Sequence, residues 1–271
     1  MHTMEEITSF QNPLVKRIRS LKYKKYRQRE GLFWAEGIRN TLEAMDTGWD
    51  IDALVYAPEM LRSDLARQRI AESPLRKVAV AARVFERIAM GELPQGLGAL
   101  IKLPVRTLDA ISVLSDSFYV VLEDPQDRGN VGAVVRSTNA AGGAGVILVG
   151  QAVDPYDPEA LRTSMGATFS TPVIPCADLA EFTTWATANA LQLLGTSARA
   201  EVDFRGAHYA RPLALVFGNE RHGLSDAFKT HLDGVVGIPI LGRASSLNLS
   251  ASVAVMAYQV QGWWANDQSD N

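Results

Sequence analysis

The chain has 271 residues, 47% hydrophobic and 21% charged, enough apolar material for two ordinary domains and too much for a disordered protein. Its one cysteine, Cys176, excludes an internal disulfide and a cysteine-cluster metal site, which fits a reducing compartment and makes the cytoplasm the expected location. The net charge of -3 is unevenly spread: residues 1–105 hold 17 Lys+Arg against 13 Asp+Glu, while the remainder holds 10 against 17.

In chain order, the opening MHTMEEITSF lacks the basic flank and apolar core of a signal peptide, so none is expected. Most of the positive charge follows in VKRIRSLKYKKYRQR, Val15 to Arg29, where basic residues alternate with Tyr23 and Tyr26 and no acid occurs. Lys16, Arg17, Arg19, Lys22, Lys24, Lys25 and Arg27 therefore form a candidate RNA-binding surface of phosphate-seeking cations and stackable rings. A plain solvated helix face has the same composition. Strands are expected at LFWAEG from Leu32, IDALVYA from Ile51, KVAVA from Lys77 and GLGALIKL from Gly96. Helical patterns IRNTLEAMDTG and EMLRSDLARQRIAE lie between them, the first closed by Gly48. This predicts a small α/β domain over residues 1–105, followed by a polar linker at 106–115.

The second half, 116–271, opens with the strand FYVVLE from Phe118, then a turn and a helix beginning near Asn130. Further strands at GVILVG, LQLLG, LALVFG and GVVGIPI alternate with helical stretches, the pattern of a parallel sheet covered on both faces. The most apolar window, around Val131 to Gly150, is interrupted by Arg136, Ser137, Thr138 and Asn139, so no membrane span is expected. The final LNLSASVAVMAYQVQGWW is apolar nearly all round and must be buried, within its own domain or in a dimer seam.

Ligands collect beyond the carboxyl ends of parallel strands, and three polar segments stand there. EDPQDRGNVGAVVRSTNAAG follows the first strand of this half; Asn130 and Arg136 suit an anion near a helix start, although a cap role for Asn130 and pairing of Arg136 with Glu123, Asp124 or Asp127 also explain them. LVFGNERHGLS places Gly218, Asn219 and Glu220 after a strand, with His222 beside them. GIPILGRASSLNLS brings Arg243, Ser246 and Asn248 to the mouth of the last helix, where Ser245 or Ser246 is the natural cap. His2, His208 and His231 have no partner at metal-ligand spacing, so no metal is expected. GGAG at Gly142 to Gly145 precedes a strand rather than following one, which argues against a nicotinamide enzyme.

Taken in this order, DRGNVGAVVRS, FGNERHGLS and IPILGRASSLNLS resemble the three signature motifs of the SpoU (TrmH-type) family of SPOUT RNA methyltransferases. NPLVKRIRSL, GLFWAEGIRNTLEA and GLGALIKLP are similar to that family's L30e-type substrate-binding domain. The resemblance implies a SPOUT parallel sheet with a C-terminal trefoil knot, a homodimer, S-adenosylmethionine as cofactor, and methylation of a ribose 2'-hydroxyl. The expected target is ribosomal RNA, with transfer RNA as the alternative and a non-catalytic RNA-binding protein of the same fold as the competing class. By position it implies Asn130, Arg136, Glu220, Ser246 and Asn248 as catalytic residues, and Thr196, Gly218, Asn219, Ile238, Leu241, Gly242 and Leu247 as cofactor-binding residues. The bulky Arg221 and His222 depart from the small residues common in motif two.

Overall fold

The computed structural model describes residues 6–267, which leaves His2 outside the described residues. The described residues form two compact units: one contains residues 6–105 together with Tyr156–Ser170, the other Arg106–Pro155 and residues 171–267.

In the first unit, α1 (Pro13–Ser20) starts at Asn12, whose side chain accepts from Leu14 N at 2.9 Å, with Pro13 at the first helical position. Then come α2 (Lys24–Glu30), β1 (Leu32–Glu36), α3 (Ile38–Asp46), β2 (Ile51–Tyr56), α4 (Asp64–Glu72), β3 (Lys77–Ala79), α5 (Ala82–Ile88) and β4 (Leu97–Lys102). Gly48 ends α3 as expected: it takes a φ of +73°, and Trp49 N donates back to Ala44 O at 3.1 Å. The sheet order is β1-β4-β2-β3, with β4 antiparallel to both neighbours. Strand alternation sorts side chains between two cores. Leu32, Trp34, Ala53 and Val55 pack with Val15, Ile18 and Leu21 of the first helical segment and with Phe85 of α5. On the opposite face, Phe33, Ala35 and Leu54 pack with residues of α3 and α4 and with Tyr156, Leu161 and Phe169.

The 156–170 segment thus completes a core a hundred residues upstream, a return that a division at 105 and 116 does not anticipate. Phe33, Trp49, Tyr156 and Phe169 form an aromatic cluster, and the Trp49 indole donates to Phe169 O at 2.9 Å. The same segment corrects the expectation for Arg27. Its side chain is 1% exposed, donates to Leu21 O at 2.7 Å and reaches Asp157 Oδ2 at 3.4 Å, so it cannot present its charge to RNA. Arg27→Ala leaves Asp157 without this partner. It is expected to destabilise the protein by about 3 kcal/mol in urea unfolding. Unchanged stability with weakened RNA binding would restore Arg27 to the surface.

The second unit contains β5 (Phe118–Glu123), α6 (Arg128–Ala140) and β6 (Gly145–Val149). After the excursion bearing α7 (Pro158–Ser164) come β7 (Val173–Cys176), α8 (Leu179–Ala188), β8 (Gln192–Thr196), β9 (Val202–Asp203), β10 (Leu213–Phe217), α9 (Asp226–Lys229), β11 (Gly234–Gly237) and α10 (Leu249–Asp267). All seven strands are parallel, in the order β7-β6-β5-β10-β8-β11-β9. The periodicity missed β7, which carries Pro175, and the two-residue edge strand β9. Residues 106–115 are not a free linker: Leu108 is buried in this unit's core, with Ile111 and Val113 packed against it.

Two helix starts also differ from expectation. Asp127, not Asn130, caps α6, accepting from Asn130 N at 2.6 Å. Asn248, not Ser245 or Ser246, caps α10, its Oδ1 accepting from Ser250 N at 2.8 Å. α10 buries Val253, Met256, Ala257, Val260 and Trp264, whereas Ala251, Val255, Tyr258 and Gly262 form an exposed stripe, so within one chain the helix is only half enclosed. Among the described residues no helix is long and apolar enough to cross a membrane.

A candidate active site at the parallel strand ends

β5 and β10 lie side by side in register, Leu122 opposite Phe217, so the segments that leave their carboxyl ends start as neighbours. The turn after β10 admits only glycine at Gly218: a Cβ there would come within 2.1 Å of Gly223 C and Leu224 N. Asn219 and Gly223 close the turn with paired backbone bonds of 3.1 and 2.8 Å, and Gly223 has a φ of +71°. The Asn219 side chain organises it from within, Oδ1 accepting from Arg221 N at 2.9 Å and His222 N at 3.2 Å. Its Nδ2 donates to Asp124 O at 2.8 Å, tying this turn to the end of β5.

Asp124 presents that carbonyl from a left-handed conformation, φ +46°, while its carboxylate accepts from Gln151 N at 2.6 Å. Non-glycine residues pay for such backbone geometry, and it persists where surrounding bonds over-determine it. Asp124→Ala is expected to be less stable than Asp124→Gly by about 1 kcal/mol, since both lose the carboxylate but only alanine keeps the strain. Equal urea midpoints for the two variants would mean that residue 124 is not held there.

The Glu220 carboxylate accepts from Gln126 N at 3.3 Å, Asp127 N at 3.4 Å and Asn130 Nδ2 at 3.5 Å, facing the start of α6. Asn130 Oδ1 accepts from Asn248 Nδ2 at 2.9 Å, and Asn248 Oδ1 accepts from Ser250 N and Oγ at 2.8 and 2.7 Å. A carboxylate only accepts, so the direction of both amides is fixed along this chain. It joins the three polar segments, each from a different strand end, at one place.

Asn130, Thr196, Gly218, Asn219, Glu220, Ile238, Ser246, Leu247 and Asn248 all line one cleft of about 900 Å³. Leu241 and Gly242 do not; Leu241 is 96% exposed on the loop beyond. Arg136 also lies off the cleft wall, exposed on α6, with no hydrogen bond or ion pair to any described residue. Its three suggested acidic partners are engaged elsewhere: Glu123 with Ser225 N at 2.8 Å, Asp124 with Gln151 N, and Asp127 with Asn130 N. Sequence reasoning missed Arg199 and Lys229 on the cleft wall, which belong to none of the three segments and come into view only with the fold, and it gave Asp124, named there only as a partner for Arg136, no part in holding the turns together.

A parallel α/β sheet whose strand-end turns are locked together around a deep cleft defines a small-ligand site of the doubly wound type. Residues 117–258 match the SpoU rRNA Methylase family and residues 12–99 the MRM3-like substrate binding domain, and the chain belongs to the SpoU methylase family. A 23S rRNA (uridine(2479)-2'-O)-methyltransferase of Streptomyces viridochromogenes is 32% identical over 239 residues, covering 86% of this chain and 83% of that protein. The 23S rRNA (guanosine(2553)-2'-O)-methyltransferase RlmP of Bacillus subtilis is 26% identical over 260 residues, 96% of this chain and all of that one. The crystal structure of the SpoU methyltransferase AviRb from Streptomyces viridochromogenes with AdoMet superposes with a TM-score of 0.86 at 30% identity, over 92% of this chain and 97% of that one.

Proposed function

We propose that this protein transfers a methyl group from S-adenosylmethionine to a ribose 2'-hydroxyl of ribosomal RNA. The observation that carries this reading is the hydrogen-bonded chain Glu220–Asn130–Asn248, which fixes polar groups from all three strand-end segments on one cleft wall. Pure RNA binding does not require such an arrangement over a deep cleft. The relatives that act on ribosomal RNA favour that target over transfer RNA.

The cleft fits the cofactor. Phe217, Ile238, Leu247 and Met256 offer apolar wall for a purine, and Thr196, Asn219 and the backbone at Gly218 offer polar partners for its ribose and amino acid ends. When bound, S-adenosylmethionine supplies an electrophilic methyl group. What the chain must add is alignment of a ribose hydroxyl and removal of its proton. Asn130, held from both sides, and Ser246 face the cleft and position the hydroxyl. Arg136 binds the neighbouring phosphate; a guanidinium stays protonated, so it contributes charge and geometry while phosphate or water accepts the proton.

Because Arg136 stands off its own chain's cleft, this reading includes a homodimer in which the RNA surface is shared between copies. The exposed apolar stripe Ala251, Val255 and Tyr258 on α10 supports such a seam. The trefoil-knotted threading of the C-terminal part and a cytoplasmic location belong to the same reading. In the first unit the exposed Lys16, Arg19, Lys22, Lys24 and Lys25, with Tyr23, form the RNA-facing surface; Arg17, half-buried and paired with Glu30 at 3.0 Å, contributes less. Mapping ribose methylation across ribosomal and transfer RNA with and without the gene tests the activity. One 2'-O-methyl site in ribosomal RNA is expected to disappear, and an unchanged map would overturn the reading.

A further inference from the structure

The bulky pair Arg221 and His222 in the turn after β10 has no part in the mechanism above, yet both members line the cleft. Arg199, Arg221, His222 and Lys229 are on its wall, and the one acid among the lining residues is Glu220. That acid is already committed to the amides at the start of α6, and Lys229 is paired with Asp226 at 2.8 Å. The Arg199 and Arg221 side chains make no hydrogen bond or ion pair with any described residue. Two exposed arginines without an ion-pair partner among the described residues therefore stand on the cleft wall, on two separate segments, the β8–β9 loop and the turn after β10.

The cofactor does not account for them. Its sulfonium and ammonium outweigh its one carboxylate, so a net cation would enter against additional positive charge. A polyanionic substrate is attracted by the same charges, and a guanidinium matches a phosphate with two parallel hydrogen bonds. The backbone under Arg221 is pinned, its N–H donating to Asn219 Oδ1 at 2.9 Å within a turn closed by Gly223. Arg199 is held likewise, its N–H donating to Ser197 Oγ at 3.1 Å. Rigid main chain under a free cationic head lowers the ordering cost of capturing an anion.

We infer that Arg199 and Arg221 form a phosphate subsite at the cleft, gripping the backbone of the substrate RNA beside the nucleotide to be modified. This rests on the methyltransferase reading for the identity of the substrate, but its test does not depend on turnover. The full chain is titrated with total ribosomal RNA from cells lacking the gene, in filter binding across a series of salt concentrations, and with S-adenosylmethionine by calorimetry. Arg199→Ala and Arg221→Ala are each expected to weaken RNA binding roughly five- to tenfold at low salt and to lower the log–log salt slope by about 0.7 to 0.9. Arg221→Lys keeps the charge and should keep most of the slope. Thermal melting and cofactor affinity should stay within twofold of the parent or unchanged, because neither side chain supports the fold.

Unaltered RNA affinity and slope in both alanine variants would overturn the subsite. So would weakened cofactor binding with intact RNA binding, which would assign the arginines to the cofactor carboxylate. A parent protein that binds RNA with an arginine-dependent slope yet methylates nothing would remove the methyltransferase reading and leave the subsite standing.

Discussion

Arg136→Ala is expected to reduce methyl transfer at least a hundredfold while leaving cofactor affinity and melting temperature at the parent values. The side chain is exposed on α6 and bonds to no described residue, so its removal costs the fold nothing visible. Under the proposed function this group, six residues or about 1.7 turns beyond Asn130 on α6, serves the substrate and not the fold. If it holds a phosphate next to the reacting ribose, its loss falls on alignment and charge stabilisation, effects of order 10² to 10⁴ in rate. Arg136→Lys should recover only part of the activity, since an ammonium lacks the planar fork. Single-turnover transfer to ribosomal RNA from cells lacking the gene, with calorimetry for the cofactor, separates the two effects. Parent-like turnover in the alanine variant removes Arg136 from the mechanism, and a fall in melting temperature would show a structural role instead.

The second large effect is expected at Gly218, for the opposite reason. Here the fold leaves no room: the added methyl group of Gly218→Ala would sit 2.1 Å from Gly223 C and Leu224 N, and 2.4 Å from Gly223 O. These are backbone atoms of a turn closed on itself through Asn219, so no side chain can swing aside. Relief requires opening the turn, which also carries Glu220 and its bonds to α6. A cost of about 3 kcal/mol follows from overpacking of this kind, equivalent to roughly 10 °C in melting temperature for a chain of this size. Cofactor binding should be lost with it. A variant that melts and binds like the parent would mean that the turn relaxes at no cost, and the rigidity assigned to this part of the cleft would be wrong.

Much of this was legible from residue order. Apolar runs of four or five residues placed β5, β6 and β10, because a parallel strand buried on both faces must be apolar throughout. The strand-end segments were recognisable because polar residues and glycines directly after such runs have few structural uses. The capping residues were not. Asp127 and Asn248 won over Asn130 and Ser245 or Ser246 because a cap is decided by which side chain reaches an open N–H, and several neighbours of equal chemistry compete. Arg27 looked like its seven basic neighbours in a run without acids, until a carboxylate from residue 157 closed over it.

By itself the sequence determined the chemistry available: which residues carry charge, where backbone freedom is needed, and the three segments whose order marks the family. Only the tertiary structure decided how those residues divide. It set Asn130, Glu220 and Asn248 in one hydrogen-bonded line, left Arg136 exposed and Arg27 sealed, and brought Arg199 and Arg221 to the wall of the same cleft. The physical reason is that burial and pairing depend on which distant elements meet. Residues 90 to 118 positions apart bond here across strand ends, and local patterning carries no information about such meetings.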